Sequence, residues 1–368
     1  MGLIRSVKPL NLARPSQAKG LKIYLRISPE RPNPMRILIT DRHTQGDEHV
    51  EQDAAGSDME LEFYDSPELV PDEAWARADG VVTYRGAPVV MANLAKMQRA
   101  RIVVRGGVGF DGLDLKVLGE RGIAVCTVPD YGTTEVADHA IALMLALRRG
   151  LDRYEERMRR DPAGLWRYTP SPCVDRLRGR TFGVFGLGRI GLAAARRAAA
   201  FDMDVIFYDP HLADGVDLST GYKRVTSAEA LFETADTVSI HSPLTDETRG
   251  AINADLLGRM KDTAVVINTA RGPIVDLDAM YEALQAGRPA GAGLDVLSKE
   301  PADASHPLIK AYMERADWLE GRLMISPHAA FYSPPGLFDL RSKAAATAAA
   351  RVRDGSVRNC QNLEFLVD

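Results

Sequence analysis

The run Thr181-Phe182-Gly183-Val184-Phe185-Gly186-Leu187-Gly188-Arg189-Ile190-Gly191 passes from a short apolar stretch straight into the helical pattern of residues 192–200. No other feature restricts the fold as strongly. Gly186 permits a tight turn, Gly188 lets the backbone approach a pyrophosphate, and Gly191 lets helix and strand pack closely. The amides around Leu187, Arg189 and Ile190 then face the phosphates at a helix start. About 20 residues on, the next strand ends at Asp209, whose carboxylate suits ribose hydroxyls and repels a 2'-phosphate. Pro210 and His211 follow rather than an arginine, so NAD is expected over NADP. The plainer reading of Asp209 is a turn cap.

The rest of the chain fits that turn. Strand patterns at residues 36–40, 61–64, 80–84, 102–105 and 123–128 alternate with helical patterns that include 92–99 and 113–120. Six more strands follow at 181–185, 205–208, 237–241, 264–268, 292–296 and 323–326. Such alternation implies parallel strands with helices on both faces. The expected fold class is α/β, with two domains: a Rossmann-type doubly wound NAD-binding domain and a smaller flavodoxin-like substrate domain. Residues 135–332 are assigned to the first, and 35–134 with 333–368 to the second. The substrate domain is discontinuous because the alanine-rich helix over 342–353 comes after the nucleotide sheet is complete. The helix over 135–149 is too apolar for a surface and should be buried between domains or subunits. Residues 1–34, rich in Arg, Lys and Pro, read as an extension.

Composition excludes several classes of function. A formal net charge of -4 offers no general attraction to nucleic acid or an anionic membrane. The longest apolar run, Ala140 to Leu147, is far shorter than the roughly 20 residues that cross a bilayer, and no secretory leader is recognisable. Cys126, Cys173 and Cys360 are widely separated and form no CxxC or Cys/His cluster, and His43 and His49 are too isolated to bind metal. A cytoplasmic protein without disulfides, metal, membrane or nucleic-acid partner is expected.

Arg271, Glu300 and His328 follow in order downstream of the glycine turn. Arginine can grip a carboxylate and polarise a carbonyl, histidine exchanges a proton near neutrality, and a carboxylate can hold that histidine protonated. A 2-oxo acid needs all three. Taken singly, Arg271 could be a surface ion pair, Glu300 a turn acid and His328 a satisfied loop histidine.

Gly186 to Gly191, Tyr208-Asp209-Pro210, His241-Ser242-Pro243-Leu244-Thr245, Asn268-Thr269-Ala270-Arg271-Gly272, Gly293-Leu294-Asp295-Val296 and Ser326-Pro327-His328 together resemble the D-isomer-specific 2-hydroxyacid dehydrogenase family. Residues 104–111 and 135–140 match further signatures of that family upstream. Residues 328–333 and Arg358-Asn359-Cys360 are similar to its branch of C-terminal binding protein corepressors, with Phe331 where that branch has tryptophan.

The resemblance implies an NAD-dependent enzyme interconverting a small 2-oxo acid and its D-2-hydroxy acid. Arg271 would bind the substrate carboxylate and carbonyl, His328 would donate the proton, and Glu300 would hold His328. Asp295 would lie near the nicotinamide carboxamide, and His241, Pro243, Thr269, Ala270 and Val108 would line the cofactor groove. The loop Arg105 to Gly109 would offer amides, notably at Gly107 and Val108, to the substrate carboxylate, with Tyr84, Arg105 and Phe331 around it. A plain strand-to-helix turn is the simpler reading of that loop. Glutamine replaces Glu300 in formate dehydrogenases of this fold, so formate oxidation is not expected, whereas phosphite oxidation remains open. A homodimer is expected, and an NAD(H)-sensing corepressor-like scaffold is the alternative function.

Overall fold

The structure is a computed structural model and describes residues 34–367; the basic N-terminal segment, Pro34 apart, lies outside the described residues. Two parallel sheets account for the twelve strands among the described residues. The first contains β1 (Met35–Ile39), β2 (Met59–Phe63), β3 (Gly80–Thr83), β4 (Ile102–Arg105) and β5 (Ala124–Thr127), in spatial order β2-β1-β3-β4-β5. β3 and β5 are buried along their whole length, as expected of parallel strands covered on both faces. One face packs under the helix Pro334–Asp354 through Leu340, Ala344, Ala345, Ala348 and Val352. The other closes over Trp75, Val90 and Leu118.

The second sheet holds β6 (Thr181–Phe185), β7 (Asp204–Tyr208), β8 (Lys223–Arg224), β9 (Thr237–Ile240), β10 (Val265–Asn268), β11 (Gly291–Leu294) and β12 (Leu323–Ile325). Their order is β12-β11-β10-β9-β6-β7-β8, so the strand order reverses between β6 and β9. Ligands of doubly wound sheets bind at the carboxyl end of that switch point. The glycine turn sits there, directly after β6.

Several elements differ from the sequence reading. The second sheet has a seventh strand, β8, whose two polar residues pair with Ile206 and Phe207 and carry no apolar signature. The helical pattern over 92–99 resolves into a helix at Ala87–Ala92 and a separate turn at Leu94–Lys96, because Asn93 caps the first with non-helical dihedrals. The C-terminal helix begins earlier than its alanine-rich part, at Pro334, where the Ser333 side chain accepts from Gly336 N–H. The spacing from Glu300 to His328 is longer than the family resemblance leads one to expect, and residues 311–322 within it pack on the second sheet, with Leu319 in its core and Trp318 edge-on to Tyr281 at 6.0 Å.

The apolar helix runs over Thr133–Arg149 and packs on the helix Arg189–Ala199 and on β10 and β11. At its end Arg148 is 2% exposed and donates to the carbonyls of Asp236, Thr263 and Cys173. Burial lowers the pKa of this guanidinium, which meets carbonyls rather than a carboxylate.

Candidate active site

His328 lies in the loop after β12 in a left-handed conformation, φ 52°. A non-glycine residue there costs roughly 1–2 kcal/mol, so neighbouring groups must hold it. Asp295, 2% exposed after β11, does so. Its backbone carbonyl accepts from His328 N–H at 2.7 Å. Its carboxylate accepts from the Ser326 hydroxyl at 2.6 Å and from the amides of Ala329 and Ala330 at 2.9 and 3.0 Å. Ser326 in turn accepts from His139 Nε2, 2.8 Å away on the apolar helix. Asp295 thus spends its oxygens on the histidine loop.

Glu300 Oε2 meets His328 Nδ1 at 2.7 Å, and its Oε1 accepts from Leu297 N–H at 3.0 Å. Burial works against the charged carboxylate, but the hydrogen bond and charge of His328, the Leu297 amide and Arg271 outweigh it and hold Glu300 below the ordinary glutamate range. With Nδ1 engaged, Nε2 is the nitrogen left to exchange a proton.

Arg271 follows β10, in a turn shaped by Asn268, whose side chain accepts from Ala270 N–H and donates to the Arg271 carbonyl at 3.0 Å each. Its Nε donates to Asp111 across the cleft at 2.9 Å, and Nη1 to the Ala270 carbonyl at 2.8 Å. Burial opposes the charge on Asp111, yet Arg271 keeps that carboxyl below its ordinary value. Arg105, at the end of β4, donates to the Gly106 carbonyl at 2.8 Å and pairs with no carboxylate among the described residues. Burial first, and then the charge of Arg271, lower its pKa.

The glycines between Arg105 and Asp111 make room for these groups. A Cβ at Gly106 would strike the Tyr84 ring, one at Gly107 the Arg105 guanidinium, and one at Gly109 the Arg271 guanidinium. Gly107 also has φ 152°, which disfavours other residues. Tyr84 itself is 2% exposed and donates its hydroxyl to Glu51 at 3.3 Å, so it supports the loop from below.

Phe331, three residues beyond His328, meets the His328 ring edge-on with centroids 6.5 Å apart. Two flanking rings escaped the sequence reading. Tyr131, in the turn after β5, lies 6.0 Å from Phe331 and feels the charges of both Arg105 and Arg271. His43, after β1, lies 6.3 Å from Phe331 and 4.5 Å from Tyr84, and burial followed by the charge of Arg85 brings its pKa down to about 4. Tyr131 had one usable signal, its place just beyond a strand's carboxyl end; His43 had none.

On the cofactor side, Gly186 has φ 93° and a Cβ there would crowd the Ser242 amide, while Gly188 has nothing within 4 Å of the place its Cβ would take. Helix Arg189–Ala199 starts at that open point, with its first amides free of intrahelical partners. Asp209 accepts from Leu187 N–H and His211 N–H, both at 3.0 Å. Each oxygen keeps a further acceptor site for a ribose hydroxyl. His241 Nδ1, Ser242 Oγ and Thr269 Oγ1 are buried at the ends of β9 and β10 with no hydrogen-bond partner among the described residues. Burial brings the His241 pKa down to about 4, and its other ring nitrogen meets Ser239 Oγ at 2.8 Å. Pro243 and Ala270 adjoin these groups in sequence. Unsatisfied donors and acceptors around an open glycine turn fit a dinucleotide.

A Rossmann sheet with this turn, and with a carboxylate-paired histidine and an arginine above it, is the arrangement of NAD-binding oxidoreductases. Residues 141–330 match the family described as D-isomer specific 2-hydroxyacid dehydrogenase, NAD binding domain. The chain is 38% identical over 255 residues to a glyoxylate reductase of Korarchaeum cryptofilum, covering 68% of this chain and 73% of that protein. It is 40% identical over 210 residues to a D-3-phosphoglycerate dehydrogenase of Archaeoglobus fulgidus; the match covers 57% of this chain but only 39% of that longer protein. The crystal structure of a D-lactate dehydrogenase from Aquifex aeolicus, complexed with NAD and lactic acid, superposes with a TM-score of 0.74 at 31% identity, covering 87% of this chain and 96% of that one. The chain belongs to the D-isomer specific 2-hydroxyacid dehydrogenase family.

Proposed function

We propose that this protein interconverts a small 2-oxo acid and its D-2-hydroxy acid, with NAD as the hydride carrier. The observation that carries the reading is the pairing of His328 with Glu300 at 2.7 Å beside a cleft that holds Arg271, paired through Nε with Asp111, and Arg105, which has no ion pair among the described residues. Guanidiniums with donors to spare suit a substrate carboxylate. Residues 35–134 and 333–368 form the substrate-binding domain, and residues 135–332 bind the dinucleotide. Leu187, Gly188, Arg189 and Ile190 receive the pyrophosphate, Asp209 the adenosine ribose, and His241, Pro243, Thr269 and Ala270 line the groove.

When bound, NAD supplies or accepts the hydride at the substrate's second carbon. In reduction, Arg271 grips the carboxylate and carbonyl and stabilises charge developing on the oxygen. His328 gives that oxygen its proton from Nε2, and Glu300 favours the charged imidazole that reduction requires. In oxidation the neutral His328 removes the hydroxyl proton. The amides of Gly107 and Val108 adjoin the carboxylate. Phe331, flanked by Tyr131, bounds the space left for the substrate's side chain.

Turnover is measured by NADH consumption with glyoxylate, hydroxypyruvate, pyruvate and bulkier 2-oxo acids. Arg271→Ala removes a charged transition-state contact worth roughly 3 kcal/mol, so kcat/KM falls about a hundredfold. Near-normal kcat/KM in that variant rejects the assignment of Arg271. Tight NADH binding with no turnover of any acid favours a sensing scaffold instead.

A further inference from the structure

Two of the three cysteines, far apart in sequence, stand opposite each other on the edge of the first sheet. β5 carries Cys126, and the chain beyond the helix Pro334–Asp354 returns antiparallel beside it, setting Cys360 against Cys126 as an isolated bridge. The flanking hydrogen bonds define the kind of pair. Thr127 N–H donates to the Asn359 carbonyl at 3.3 Å, and Gln361 N–H to the Val125 carbonyl at 2.8 Å. Cys126 and Cys360 therefore exchange no backbone hydrogen bond with each other. In such pairs the Cα atoms approach to about 4.5 Å and the side chains leave the same face. That separation lies at the short end of the range spanned by disulfides, about 4.4 to 6.8 Å.

Two further observations agree. Both thiols are free and pack against the same apolar cluster beneath the helix Pro334–Asp354. The returning segment is also anchored without them. Asn362, fully buried, accepts from Val125 N–H at 2.8 Å and donates to the carbonyls of Leu115 and Ile123 at 3.1 and 3.0 Å. The residues flanking the pair, Thr127 and Asn359, line a cavity of about 310 Å³ together with Asp130, Lys343 and Arg358.

We propose that Cys126 and Cys360 form a covalent modification site that takes small-molecule disulfides and closes into a cross-strand disulfide joining the C-terminal segment to β5. Access sets the order of events. Cys360 is partly exposed, with its thiol donating to Asn362 Oδ1 at 3.3 Å, whereas Cys126 is inaccessible to solvent. Cys360, having lost its proton, attacks one sulfur of the small disulfide; the S–S bond of the reagent breaks and one small thiolate leaves and is protonated. Cys126 then gives up its proton and attacks Cys360 Sγ, and the second small thiol departs. Two protein thiols are oxidised to one disulfide, and one small disulfide is reduced to two thiols. Burial and the neighbouring Cys360 push the Cys126 thiol up to about 12, which suits the resolving partner rather than the first nucleophile.

The test uses the full chain incubated with oxidised glutathione, alkylated after unfolding, and mapped by non-reducing peptide mass spectrometry. The expected product is about 2 Da lighter, joins the Cys126 and Cys360 peptides within one chain, and leaves Cys173 to be alkylated. Its Tm rises by about 5 °C and returns on treatment with dithiothreitol, because the cross-link closes a long loop. Cys360→Ser shows neither the cross-link nor the Tm shift. Full alkylation of both cysteines overturns the proposal. So does a lasting glutathione adduct on Cys360 with Cys126 still a thiol, and so does a cross-link between two copies.

Discussion

The two glycine-rich loops of this protein both leave the carboxyl end of a parallel strand, and they use glycine in opposite ways. After β6, Gly188 has no protein atom within 4 Å of where a Cβ would stand, so its missing side chain provides access for a ligand. After β4, the spaces beside Gly106, Gly107 and Gly109 are filled by the Tyr84 ring and by the guanidiniums of Arg105 and Arg271. There the missing side chains provide packing room for charged groups of the protein itself. The first loop is built to be filled from outside; the second seats two arginines of the cleft.

The largest expected effect lies where the second loop meets the chemistry. His328→Gln removes the proposed proton donor, and kcat should fall about a thousandfold in both directions while NADH affinity stays within about twofold. Comparable losses of affinity and rate would instead place His328 among the cofactor contacts. Gly109→Ala drives a methyl group into Arg271, and a displacement of that kind should lower kcat/KM roughly thirtyfold without weakening NADH. Gly188→Ala should do the reverse: NADH binds about tenfold more weakly, as judged by fluorescence titration, while Tm stays within about 2 °C. If Gly188→Ala unfolds the protein and Gly109→Ala does nothing, the contrast between the loops is wrong.

The smallest effect concerns pH. Glu300 is held below the ordinary glutamate value of about 4.3, so it stays ionised through the working range. Glu300→Gln removes the charge that favours the imidazolium, so it should slow reduction about tenfold near pH 8 and by less toward pH 5. A penalty equal at both ends of that range would show that the charge of Glu300 does not support His328. For stability the sign is that of a depressed acid: the contribution is present above the unfolded pKa and is lost as pH falls through the lower folded one. The Glu300→Gln protein should accordingly lose less stability on acidification than the parent, as followed by Tm. In the intact enzyme reduction takes up a proton and oxidation releases one, so the two directions should show opposite pH trends; identical profiles in the two directions would remove His328 from the acid–base role.

Much of the cofactor half could be read along the chain because its signals are local. The turn Gly186 to Gly191 is a strand, a backbone conformation and a helix start within eleven residues, and Asp209 falls where the following strand has to end. β8 escaped notice because two polar residues on an edge carry no pattern. The substrate wall was harder. Phe331 was visible beside His328, but Tyr131 and His43 reach it from the ends of β5 and β1, and nothing near either residue in sequence announces the encounter. Asp295 shows a further limit: its place at the end of β11 was foreseeable, whereas the direction of its carboxylate, toward the amides of Ala329 and Ala330, depends on how the histidine loop folds back.

From the order of residues alone follow the parallel α/β architecture, the dinucleotide turn, and the identities of Arg271, Glu300 and His328, since each depends on periodicity or on chemistry carried by a short segment. The partners of those residues do not follow. Arg271 meets Asp111 across 160 positions, Glu300 meets His328 across 28, and Cys126 faces Cys360 across the whole of the second sheet. Backbone turns and strand periods are set by neighbouring residues, but which side chains face each other across the cleft is set by how both sheets and the returning C-terminal helix bury their apolar faces together. That is a property of the whole chain.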